Sequence, residues 1–264
     1  YLDKFNVISL TSYHGGNRHN YGIEWGEPTL GGITYNRFIE EMNSYGVYKE
    51  YSFDALESKE KHFKDVNNSG KDDYFVDNVD ISAYIGHGNG DGIKFETLDD
   101  DNTLSSIDAI GGKSWGNRDL EFQILMSCKV LSKEYKGISW FDRWGPSFNG
   151  LHLLCGFHSN VNVSNHNMLK LFVSNMYRNK LSVVESWLNA ALDDQPEGYV
   201  PVVIGPLIKS PNKVAFNSIE SSIEKNQRLH RAHWNDKTWG VDNGPGIDIS
   251  KSDICGWWRI SIKT

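Results

Sequence analysis

The 264 residues, 39% hydrophobic, 23% charged and 12% aromatic, hold enough apolar material for one elaborated α/β core and lack the composition of a disordered chain. Lys and Arg number 27 against 34 Asp and Glu, for a net charge of −7, and no stretch gathers basic residues among aromatics, which excludes nucleic acid from the expected partners. No apolar run approaches the roughly 18 residues of a membrane span, so none is expected, and three cysteines without CxxC spacing indicate neither a disulfide framework nor a thiolate zinc site.

Residues 5–11 (FNVISLT) are β-branched and apolar and read as a strand, which feeds a polar, Gly-rich loop over 12–22 carrying His14 and His19. Tyr35, Phe38, Ile39 and Met42 recur at helical spacing, predicting a helix over 33–42 that Gly46 closes before a strand at 47–53. The opening unit is therefore β-α-β. Residues 54–73 are charged and punctuated by Gly and Asn, as expected of helix and loop on the surface. Residues 79–85 (VDISAYI) predict a strand ending at Gly86, where the text turns to GHGNGDG.

From Lys94 to Asp119 the chain is polar and acidic, until 120–126 (LEFQILM) supplies a strand of the buried kind that ends at Ser127-Cys128. Residues 151–157 (LHLLCGF) repeat that pattern and lead into a loop with His158, then a helix through Leu169, Phe172, Val173 and Met176. A second helix over 183–192 places Val183, Val184, Trp187, Leu188 and Ala191 on one face, and 199–204 (YVPVVI) returns as a strand before Gly205-Pro206. Beyond it, 219–233 reads as helix and 256–262 (GWWRISI) as an edge strand. No internal repeat is present.

Strands alternating with helices imply a mainly parallel central sheet flanked by helices on both faces, with a small C-terminal β addition. The expected organisation is a single domain over 1–264, its core in 1–210 and an extension, 211–264, packed on it. Ligand sites in such sheets gather at the carboxyl ends of strands. His14, His87, Cys128 and His158 each follow a predicted strand, so all four are expected along one rim.

His87 lies between Gly86 and Gly88, where missing side chains let the backbone turn sharply and let a substrate carbonyl approach the amides. Cys128 follows 41 residues later, room for one crossover between adjacent strands. A thiolate is a competent nucleophile, and a nearby imidazole favours its ionisation and can donate a proton to a leaving amine. The backbone N–H groups of Gly88 and Cys128 are the expected oxyanion donors. Singly, a Cys ending an apolar strand reads as a small buried hydrophobe and a His between glycines as a turn cap. Their combination and order point to a dyad.

These residues carry a resemblance. Tyr84-Ile85-Gly86-His87-Gly88 and Ile124-Leu125-Met126-Ser127-Cys128 resemble the His-Gly and Ala/Ser-Cys strand ends of the caspase-like (clan CD) cysteine peptidases, the group of caspases, legumain, clostripain and gingipains. More closely, VDNVDISAYIGHGNG, SWGNRDLEFQILMSCKVL and WGPSFNGLHLLCGFHSNV together resemble an uncharacterised, largely bacterial domain family with the same motif pair. The peptidase resemblance implies a caspase/gingipain-like fold and a metal-independent endopeptidase with Cys128 as nucleophile, His87 as general acid and Gly88 in the oxyanion hole. The alternative is an inactive module of the same fold that binds a peptide or protein partner in the same groove.

No cofactor is required by that chemistry. Some members of the peptidase group are calcium-stimulated, and Asp99 to Asp101 offer carboxylates to a hard cation, although without an EF-hand pattern. A composite zinc site from His14, His87 and His158 is a third reading, for which no carboxylate partner declares itself. Cys155 inside LHLLCGF reads as core, and the dispersed tryptophans as packing. A first residue that is Tyr1, with no leader ahead of it, suits a processed chain, an exported one slightly better than a cytoplasmic one. The oligomeric state is not legible.

Overall fold

Strands whose every residue is buried have no solvent face to mark with polar residues, and they assemble as the parallel interior of a layered domain. The structure, a computed structural model, describes residues 20–26, 32–96, 101–105, 108, 115–164, 167–208, 230–231 and 254–264. In chain order its elements are β1 (Asn20–Trp25), α1 (Gly32–Ser44), β2 (Tyr48–Phe53), β3 (Ile81–Ile85), β4 (Gly92–Lys94), β5 (Thr103–Ser105), β6 (Phe122–Met126), β7 (Glu134–Tyr135), β8 (Ile138–Ser139), α2 (Trp140–Trp144), β9 (Leu153–Phe157), α3 (Met168–Tyr177), α4 (Val183–Asp194), β10 (Pro201–Ile208), β11 (His230–Arg231) and β12 (Ile254–Ser261). Single-turn 3₁₀ helices fill much of the segment between β2 and β3.

The central sheet runs β2-β1-β3-β6-β9-β10, with β11 and β12 both paired to β10. The first five are mutually parallel, and β10 reverses against β9. β12 extends the sheet antiparallel along β10, from Val202↔Ser261 to Ile208↔Ile254. The chain steps from β1 to β2 in one direction and then back across β1 to β3. Keeping connections right-handed through that reversal sends the return on the opposite face. Accordingly α1, with α3 and α4, buries Phe38, Met42, Phe172 and Trp187 against Tyr21, Ile23, Ile85, Met126 and Phe157 on one face. The chain between β2 and β9 packs Phe63, Ile93, Trp115 and Trp144 on the other. Among the described residues no helix is long and apolar enough to cross a membrane.

The α/β class and the mainly parallel sheet match expectation, as do α1, α3 and α4. Ser182 starts α4 with a capping box to Glu185, satisfying two otherwise orphaned amide groups. Several readings are corrected. The strand before α1 is Asn20–Trp25, overlapping the loop expected over 12–22, while 5–11 lies outside the described residues. Gly22 and Glu24 obscure it: the Tyr51 ring fills the place of a Gly22 side chain, and Glu24 is buried among polar partners.

Residues 54–73 are not a surface helix. Glu60, His62, Phe63, Asp65 and Asp72 are buried, because this segment and the hairpin β4-β5 cover the second face of the sheet. Among the described residues that face carries short turns, hairpins and the five-residue α2 rather than long helices. The helix expected over 219–233 lies mostly outside the described residues, and where the chain is described, His230–Arg231, it is a strand. β9 pairs with β10 only over Pro201–Ile204, so the backbone groups of β10 beyond it need another partner, and β11 takes Leu207 and Ile208.

Candidate functional site

The two central strands β3 and β6 run side by side from Ile81↔Phe122 to Ile85↔Met126, each pair 41 residues apart. His87 and Cys128 share that spacing, two residues past the last pair on either strand. Cys128 packs at the margin of the α-helical-layer core that holds Ile85 and Met126, and His87 opens the turn that follows β3. The last tie between the strands is the Gly86 N–H donating to Met126 O at 3.3 Å.

His87 is exposed at the head of a tight turn. Its carbonyl accepts from Lys94 N–H at 2.9 Å, and Asn89 N–H donates to Gly92 O at 2.9 Å. These two bonds flank the antiparallel bridge Gly88↔Ile93, so the bridge consumes neither the N–H nor the carbonyl of Gly88. Asn89 Oδ1 accepts from Asp91 N–H at 2.7 Å and rounds off the turn.

Cys128 is half-buried. Its Sγ accepts from Val161 N–H at 3.4 Å and lies 3.7 Å from Val161 O, so the loop after β9 closes over the sulfur. Lys129, next in sequence, is left-handed with φ 57°, an uncommon conformation for a residue with a β-carbon, and Ser159 O receives its N–H at 2.7 Å.

His158 stands at the end of β9, half-buried, where its Nδ1 accepts from Lys133 N–H at 3.1 Å. Burial lowers its pKa, helped by the positive charges of Arg259 and Lys133. Through this contact the ring anchors the loop that follows Cys128. His14, with His19, lies outside the described residues, so the composite zinc reading rests on no described geometry. Among the described residues, the one group of three or more His, Cys, Asp or Glu with donor atoms within 4.8 Å of one another is Asp80, Asp119 and Glu121. It sits where β3 and β6 begin, at the opposite end of the strands. Asp99 and Asp100 are outside the described residues; Asp101 accepts from Thr103 N–H at 3.0 Å in a local turn. A surface hollow lined by Asn43, Gly46, Val47, Tyr48 and Lys49 opens at the amino end of β2, away from this rim.

Cys155 is buried in the core as read, and burial pushes its thiol well above the usual range. Trp115, Trp144 and Trp187 are fully buried packing residues. Sequence reasoning passed over Arg143. It is 3% exposed, and its guanidinium donates to the carbonyls of Gly90, Val130 and Ser132, reaching Val130 O at 3.3 Å and Ser132 Oγ at 3.3 Å. The available signal was its setting, a lone cation in the aromatic run WFDRW. Gly90 is pinned from the other side, since the Tyr135 ring occupies the space of a side chain there.

A family model described as "Domain of unknown function (DUF6345)" matches residues 24–262. No curated protein matches the chain.

Proposed function

The chain belongs to the DUF6345 family, and on that footing we propose that it is a cysteine endopeptidase of the caspase-like type, with Cys128 and His87 as its reacting pair. The observation that carries this reading is the common register of the two residues, each two positions beyond the last pair of neighbouring parallel strands. Strand carboxyl ends next to a change of winding direction are where open α/β sheets bind ligands, and the β1/β3 junction beside His87 is such a point.

In this mechanism the Cys128 thiol passes its proton to His87, the thiolate attacks the scissile carbonyl carbon, and the resulting oxyanion takes hydrogen bonds from Gly88 and Cys128 N–H. Collapse expels the amine, which takes its proton from the His87 imidazolium. Neutral His87 then takes a proton from water, whose oxygen attacks the thioester, and the acid product leaves with the thiol restored. No metal takes part.

A test is turnover of a mixed peptide library together with labelling by a thiol-directed electrophile. Cys128→Ala and His87→Ala are expected to abolish cleavage while leaving the circular dichroism spectrum unchanged; cleavage at the parent rate in Cys128→Ala would refute the reading. One observation favours peptide capture without cleavage: Sγ is already engaged by the Val161 backbone, as in a packed thiol. Library binding with no product and an unlabelled Cys128 would decide for that alternative.

A further inference from the structure

We propose that Arg143 is the positioning residue of this site, tying the turn that bears His87 to the loop that bears Cys128 and so fixing their approach. The inference rests on the cysteine-peptidase reading of those two residues. The Gly90 carbonyl belongs to the His87 turn, and the Val130 and Ser132 carbonyls belong to the loop after Cys128; one guanidinium serves all three.

Burying a guanidinium costs desolvation that an apolar side chain of similar volume avoids. What the charged group supplies is a rigid planar fork of donors that stays protonated, even though burial lowers its pKa. Its own placement is secured on two sides. Ser139 Oγ caps α2 by accepting from Asp142 N–H at 3.2 Å, and the Trp144 indole donates to the same Val130 O at 2.8 Å.

The hairpin β7-β8 that precedes Arg143 grips the turn independently, through Tyr135 against Gly90 and through Lys136 Nζ to Asp91 Oδ2 at 3.0 Å. Gly90 lies two residues from Gly88, and Val130 two from Cys128. Fixing those carbonyls therefore orients the peptide units that carry the proposed oxyanion donors.

The test follows iodoacetamide alkylation of Cys128 between about pH 5 and about pH 9 in a Cys255→Ser background. Cys255 is the exposed thiol and Cys155 the buried one, so half-buried Cys128 is then the more accessible of the two sulfurs left. The parent is expected to show reactivity on the acidic side that His87→Ala removes. Arg143→Lys keeps the charge and loses the fork; Gly90→Ala drives the turn off Tyr135 while leaving the Arg143 bonds to Val130 and Ser132 in place.

Both variants are expected to lose about 10- to 100-fold of the His87-dependent rate while keeping the alkaline limb that any accessible thiol shows. If both retain the parent profile and His87→Ala does not, the positioning role falls and the dyad stands. If His87→Ala itself retains the parent profile, the dyad falls. Should Arg143→Lys fail to fold, Gly90→Ala alone decides in the same terms.

Discussion

Ser127 Oγ stands 2.0 Å from where a β-carbon on Gly88 would be, and the carbonyl of Gly92 blocks the same carbon at 2.8 Å. The turn that carries His87 is thus seated directly on the end of β6, with the Ser127 hydroxyl buried beneath it and, among the described residues, without a hydrogen-bond partner. Glycine is required at 88 for space. Gly88→Ala is expected to destabilise the fold by about 1–3 kcal/mol, the range for inserting a carbon into a packed site. Adding Ser127→Gly clears the nearest atom and should restore part of that loss. A urea-denaturation cycle in which the two changes simply add, within about 0.5 kcal/mol, would contradict this packing.

Glu24 and His62 form a second fixed contact, with Oε1 2.8 Å from Nδ1 in the covered layer of the second face. Burial pushes the Glu24 pKa up, while His62, Ser58 and Lys59 pull it back by hydrogen bonding and charge. The His62 ring also lies against Phe53 and Phe75, at 4.6 and 4.4 Å between centroids. His62→Ala removes both ring and partner and is expected to cost about 3–5 kcal/mol, the scale for breaking a buried pair. His62→Phe keeps a ring in the stack and loses the hydrogen bond, so it should be milder yet still below the parent. A His62→Phe protein as stable as the parent would show that the bond to Glu24 contributes nothing.

The contrast between these sites explains what was legible in the sequence. VDISAYI, LEFQILM and LHLLCGF announce themselves because strands buried on both faces are almost continuously apolar, and their ends place His87, Cys128 and His158 by inspection. β1 hides because its second face is built from Gly22 and Glu24, which make sense only against Tyr51, Ser58 and His62 elsewhere in the chain. The 54–73 segment hides likewise: its charges are consumed internally, as Lys64 is by Glu60 at 3.0 Å. Arg143 and Val161 act through backbone groups of distant loops, and backbone partners leave no trace in residue identity.

Cys155 and Cys255 should separate by reactivity. Cys155 lies within β9 among Phe157, Trp187 and Val203, and its raised pKa is caused by burial alone. A burial-inert thiol reacts only after opening of the fold. Titration with a coloured disulfide reagent is therefore expected to modify Cys255 at once and Cys155 only together with global unfolding. Native-state modification of Cys155 at the rate of Cys255 would mean that the β9 core opens locally.

Asp72 is expected to make the stability of the fold depend on pH. It is 1% exposed, and burial followed by the charge of Asp65 raises its pKa to about 7. Asp73 N–H and a weaker backbone contribution from Val66 oppose the shift. Between the unfolded carboxylate value, about 4, and about 7 the native state holds a proton that the unfolded chain has released, so stability falls as pH rises across that window. The contribution is fully present below the unfolded pKa and is lost on passing the folded one. Asp72→Asn retains an oxygen for Asp73 N–H and removes the charge, so it should flatten the slope and gain stability at neutral pH, on the order of a few kcal/mol. Urea denaturation of parent and variant at a series of pH values measures the difference directly; parallel curves would show that Asp72 titrates alike in the folded and unfolded chain.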